Sequence, residues 1–164
     1  MDEVTSYLTT DLDLFSVEDL TALAAALEAR GLRVGHRALR IDETEWFRIA
    51  EPQWFWSFQA GGEGPYEDPE PEVAALLAAV EALDPPTRAA WAGCSQRVFN
   101  LAYDCGTRPF SVRHDLSAGT LARLATAGGL LRITLYAFDP SGISPAEPLS
   151  WPTDLRKNET TGIV

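Results

Sequence analysis

Cysteine is scarce in this chain, with only Cys94 and Cys105 among 164 residues. That excludes a disulfide-stapled secreted scaffold. The histidines and cysteines also lack the close CxxC or HxxxH spacing of a zinc site, so a Cys2His2 set from Cys94, Cys105, His36 and His114 is not expected. No apolar run approaches the ~20 residues needed to span a bilayer. The opening Met1-Asp2-Glu3-Val4 has no basic stretch leading into an apolar one, so a secretory signal is not expected. The cytoplasm is the expected compartment, and reduced thiols follow from it. Positive charge is short as well: 13 Lys and Arg face 24 Asp and Glu, a net of −11. That balance argues against nucleic acid or an anionic membrane as partner. No internal repeat is present.

What the chain does contain is one domain's worth of apolar residues, 46% of the total, and a dense aromatic stretch. Trp46, Phe47, Trp54, Phe55, Trp56 and Phe58 fall within thirteen residues. Strand alternation puts Trp54, Trp56 and Phe58 on one face and Phe55 on the other. Such rings are either core, each worth roughly 2–3 kcal/mol when fully buried, or anchors for a partner.

The charge is uneven. Residues 1–31 hold seven acids against Arg30, residues 63–84 hold seven acids and no base, and residues 85–138 hold six arginines against Asp104 and Asp115. These are nets of −6, −7 and +4, and the acidic segments suit either a solvated surface or the steering of a basic protein.

The periodicities predict β-α-β-β-α-β-α-β. A first strand covers Val4–Leu14. A capping-box pattern at Ser16-Val17-Glu18-Asp19 opens a helix with Leu20, Leu23, Ala24 and Leu27 on its apolar face. Leu32 to Ile41 is a strand with Leu32, Val34 and His36 on one face, and the aromatic strand follows, with Pro52 marking a break. Gly61 to Pro71 is a loop. Pro71, Glu70 and Glu72 sit in the first turn of a helix striped by Val73, Leu76, Leu77, Val80 and Leu83. A short helix runs through Trp91. Arg97–Asp104 is a strand with Phe99, Leu101 and Tyr103 on one face. Ser117 caps a helix using Leu121, Leu124 and Ala125, and Leu130–Phe138 is the last strand.

The expectation is an α+β domain over 1–138, with a Pro-rich tail without regular structure over 139–164. Its sheet has four or five mostly antiparallel strands, helices lie on one face, and the order up to residue 104 is that of a ferredoxin-like split β-α-β unit.

No catalytic signature stands out. Asp104, Cys105, His114 and Asp115 cluster after the fourth strand, where a Cys–His pair could make an activated nucleophile. Asp11 and Asp13 lie two apart and could in principle hold a cation, although two acids beside a helix start commonly serve its dipole. Gly61-Gly62-Glu63-Gly64 has no base beside it and does not cradle phosphate. Arg97, Arg108, Arg113, Arg123 and Arg132 are expected to pair with the acids of the first half. No cofactor and no metal are expected.

Three segments carry a resemblance: Tyr7–Leu14 with Ser16 and Asp19-Leu20, Phe99–Gly106, and Leu116–Leu121 through Leu131–Tyr136. Over about residues 4–138 the chain resembles small bacterial α+β proteins known as domains of unknown function. Proteins of that kind look like the immunity members of toxin–immunity pairs, acidic modules that work by binding.

The resemblance bears on the fold; from the acids and aromatics, with immunity proteins as analogy, the expected function is that of a non-enzymatic cytosolic module that binds a protein, either a basic toxin domain or a second copy of itself. Trp46, Trp54 and Trp56 would be its anchors, and Glu67, Asp68 and Glu70 its steering acids. A small-ligand binder or enzyme at Asp104, Cys105, His114 and Asp115 is one alternative, and a homodimeric structural protein is another.

Overall fold

A computed structural model describes residues 4–41, 53–62, 65–109 and 111–136, with side chains 37–41 set aside. The elements run β1 (Ser6–Ser16), α1 (Thr21–Glu28), β2 (Leu32–Ile41), β3 (Gln53–Ala60), α2 (Pro69–Glu81), α3 (Pro85–Gly93), β4 (Gln96–Asp104), α4 (Ala118–Thr126) and β5 (Leu130–Tyr136). One five-stranded sheet has the order β2-β3-β1-β4-β5. Every pairing is antiparallel except β4 with β5. The first four strands thus form the split β-α-β arrangement, and α4 carries the chain over to a parallel fifth strand at the edge. Trp46, Pro52 and the 139–164 tail lie outside the described residues. Among those residues no helix is long and apolar enough to cross a membrane.

The helices cover one sheet face, and the apolar alternation of the strands decides which. Leu12 and Leu14 of β1, Trp56 and Phe58 of β3, and Phe99 and Leu101 of β4 all face the helices. There they meet Leu23 and Leu27 of α1 and Val73, Leu76 and Leu77 of α2. Phe58, Phe99, Leu12 and Leu14 have no exposed surface, so each contributes roughly 1.5–3 kcal/mol by leaving water. The opposite face is mixed. Phe15 and Phe55 pack with tilted rings, their centroids 4.9 Å apart. Beside them Asp13 sits opposite Ser57, and Asp11 lies between Gln59 and Asn100.

Several local expectations are corrected. The Ser16 capping box does not form, because Ser16 is buried at the end of β1 and its hydroxyl accepts from the Glu18 N–H. Helix α1 starts at Thr21, whose N–H donates to Asp19 instead. His36 does not share a face with Leu32 and Val34. The register between β2 and β3 slips between Val34 and His36, so the extra residue, Gly35, turns His36 toward Ser57 and the Phe55 ring. Ser117 does cap α4, but the buried residues of that helix are Thr120 and Leu124, while Leu121 is exposed.

Arginines also serve helix ends more than acids. Arg97 donates to the carbonyls of Trp91, Ala92 and Cys94 at the end of α3 and to Gly128 beyond α4. Arg123 meets the expectation, pairing with Glu81 at 2.7 Å.

Candidate functional site

Helix α2 opens at Pro69, with Asp68 as its cap accepting from the Glu70 N–H at 2.8 Å. From that start, Glu72 falls on the same helical face as Leu76 and Val80, four and eight residues on. It is therefore carried into the core, where only 3% of it is exposed. A buried carboxylate must be fully hydrogen-bonded. Glu72 Oε2 accepts from the Tyr7 hydroxyl and from the Thr10 N–H at 2.9 Å, and Oε1 accepts from the Thr9 hydroxyl at 3.2 Å.

Tyr7 gives its single proton to Glu72, so its oxygen takes the proton of the Thr10 hydroxyl. A register shift between Tyr7 and Thr9 lets both Tyr7 and Thr10 reach this face. Burial first, and then the Glu72 carboxylate, push the Tyr7 phenol well above its ordinary value.

An aromatic layer extends from this anchor. Tyr103 hydrogen-bonds His114 Nδ1 at 3.0 Å, and the two rings stack at 5.6 Å. Tyr7 meets both edge-on, at 5.5 Å from Tyr103 and 5.8 Å from His114. Burial, and secondarily the charge of Asp68, raise the Tyr103 phenol.

Outside this layer lies an open groove of about 460 Å³, with Tyr7, Tyr66 and His114 on its walls, Leu8 and Pro65 beside them and Glu67 among its lining residues. A smaller hollow of about 290 Å³ adjoins it, sharing Leu8, Pro65 and Tyr66 and reaching Glu72 and Arg33.

Of the four residues expected to form a catalytic cluster, the groove takes only His114. Asp104 is exposed at the end of β4, and Asp115 is exposed in the loop before α4. Cys105 is half-buried, and its N–H donates to the Tyr136 carbonyl at 2.9 Å. Both cysteines are free thiols. Burial pushes the Cys94 thiol up to about 11, against a smaller opposing effect of Arg97, so it is a core atom and a poor nucleophile. Among the described residues no three or more His, Cys, Asp or Glu side chains group as a metal site requires.

The expected partner-binding residues separate in the same way. Trp56 is 5% exposed and stacks on Phe58 in the core, so it cannot anchor a partner from the surface. Trp54 is half-buried against the same core. Trp46 lies outside the described residues.

Glu70 is occupied internally. It accepts from the Ser117 N–H at 3.0 Å, the Ser117 hydroxyl at 2.8 Å and the Thr120 hydroxyl at 2.6 Å. Those bonds, Thr120's first, hold its carboxyl below the usual range. Asp68 is used as the α2 cap, which leaves Glu67 exposed at the groove.

Sequence reasoning missed Tyr7, Tyr66, Glu72 and Tyr103 as a group. One signal was available, since an acid within an apolar helical stripe needs a buried partner. Comparison with family models, with curated proteins and with solved structures finds no match to this chain.

Proposed function

We propose that this chain is a non-enzymatic protein-binding module that takes a basic segment of its partner into the groove beside β1. The observation that carries this reading is the composition of that groove. Tyr66 and His114 are half-buried aromatic residues in its lining, over the buried Tyr7, and the exposed Glu67 lines it as well. Aromatic faces and a carboxylate together suit a guanidinium or ammonium group. The acids of 63–84, within a net charge of −11, add long-range attraction for a basic protein.

The partner-binding role first assigned to the tryptophans passes to the half-buried Tyr66 and His114, and that of the acids to Glu67. On this reading the module acts in the cytoplasm, and its resemblance to immunity proteins makes a basic toxin domain the partner of first choice.

The test is affinity capture from the producing cell on immobilised wild-type protein, with Tyr66→Ala and Glu67→Lys beside it. The expected result is a basic protein retained at low salt, released as salt rises, and lost at least tenfold by both variants. A retained partner that is acidic, or that both variants hold as well as wild type, would overturn the groove as the site.

A further inference from the structure

We propose that β5 is the seam of a two-fold dimer, in which the edge strands of two copies of this chain pair antiparallel and join their sheets. Strand β5 is the edge of the sheet, and among the described residues only β4 pairs with it. Edge strands in stable monomers are kept short, charged, interrupted by proline or covered, because their free backbone groups pair with other chains. Residues 130–136 hold no proline and a single charge, and among the described residues no strand pairs with the outer edge of β5. Its exposed residues are Leu130 (53%), Leu131 (42%), Ile133 (61%), Leu135 (65%) and Tyr136 (49%), and Arg132 is its single charge.

The backbone selects one register. The Tyr136 carbonyl points inward, accepting from the Cys105 N–H. Strand alternation then turns the N–H and C=O groups of Leu131, Ile133 and Leu135 outward. A two-fold axis through Ile133 makes Ile133 face its own copy and Leu131 face Leu135 of the second copy. Those are the outward-pointing residues, so the pairing closes about six hydrogen bonds.

Side chains agree with the backbone. Leu131, Ile133 and Leu135 share the helix-side face with Phe99, Leu101 and Tyr103, their neighbours on β4. The pairing merges two such apolar rows into one. On the opposite face Leu130 meets Tyr136 of the second copy. Arg132 meets Thr134, which already donates its hydroxyl to Asn100 at 2.7 Å.

The obvious alternative axis, through Arg132, would set two guanidinium groups face to face, which is unfavourable. An axis through Thr134 overlaps fewer residues. The axis through Ile133 uses all seven residues of β5 and opposes no like charges. For a molecule of net charge −11, β5 is also a stretch that brings no carboxylate to the contact.

A second copy is therefore the occupant, independently of whatever enters the groove. Light scattering on the eluting full chain at about 100 µM is expected to give twice the 17.9 kDa of the monomer. Ile133→Lys places like charges on the axis and is expected to return it to 17.9 kDa. In the same register the Ile133 Cα atoms lie about 5.5 Å apart, within disulfide reach. Ile133→Cys is thus expected to cross-link between copies on removal of reductant. Leu130→Cys and wild type are expected not to.

A monomeric wild type overturns the proposal, as does a folded Ile133→Lys variant that remains dimeric. If that variant does not fold, the cysteine pair decides. Absent cross-linking at 133, or equal cross-linking at 130, overturns the register. Loss of partner capture by the groove variants leaves this result unaffected, so the two readings fail separately.

Discussion

At the level of single residues, the most consequential groups are two buried acids, Asp13 and Glu72. Asp13 stands on the central strand with 6% of its surface exposed, and burial pushes its carboxyl up to about 6, against smaller help from Ser57 and Arg132. In the unfolded chain it titrates near its usual value of 3.8. Between those values the folded state holds the proton that the unfolded state has lost. Asp13 therefore favours folding most below pH ~4, and that advantage falls as pH rises through about 6. The loss is at most about 3 kcal/mol.

Asp13→Asn removes this titration. In urea unfolding from pH 4 to 7, its stability is expected to gain steadily on wild type, and parallel curves would refute the assignment. Glu72 is a buried acid whose bonds are satisfied by Tyr7, Thr9 and Thr10. Glu72→Ala strands the Tyr7 hydroxyl and the Thr10 N–H. It is expected to cost about 3 kcal/mol, while Glu72→Gln loses less. In a variant that still folds, the Tyr7 phenol should titrate closer to an ordinary tyrosine, which ultraviolet absorbance reads.

Among the elements, α4 shows how a helix is tied to the body of the fold. Ser117 accepts from the Thr120 N–H at 3.1 Å and gives its own proton to Glu70, which also takes the Thr120 hydroxyl. Ser117→Ala and Glu70→Ala should each destabilise by about 1 kcal/mol. Because they share one network, the double variant should lose less than the sum, by at least about 0.5 kcal/mol. Strict additivity in chemical unfolding would count against the network.

The Ser117 cap was legible, since a serine before an apolar run signals a helix start. Its bond to Glu70 was not, because the two residues are 47 positions apart and only the fold brings them together. The alternation of Trp54 to Phe58 and of Phe99 to Tyr103 read correctly for the same reason: the period of a strand is local. The Gly35 bulge broke that period and misplaced His36, although a lone glycine inside a strand is the usual mark of a bulge. The candidate groove was the least legible part. Its walls come from β1, the loop before α2 and the loop before α4, and no spacing rule links them.

For the whole molecule, the two proposed contacts rest on different forces, charge at the groove and an open strand edge at β5. On the proposed reading of the groove, acidic character would draw a basic protein toward it, and capture by that route should weaken as salt rises. The proposed β5 seam would be apolar and backbone-driven, so the mass measured by light scattering should hold over the same salt range. That contrast separates the two contacts in a single preparation. The topology has a further consequence. Strand β1 pairs with β3 on one side and β4 on the other, so it lies in the middle of the sheet. During synthesis β1 leaves the ribosome before either neighbour exists, and its second neighbour is finished only at Asp104. Both edges of this apolar strand are open until β3 is made at Ala60, and one stays open until β4 is complete. The centre of the sheet is completed only with β4, so a nascent chain stalled before it is the form that chaperones should hold most firmly.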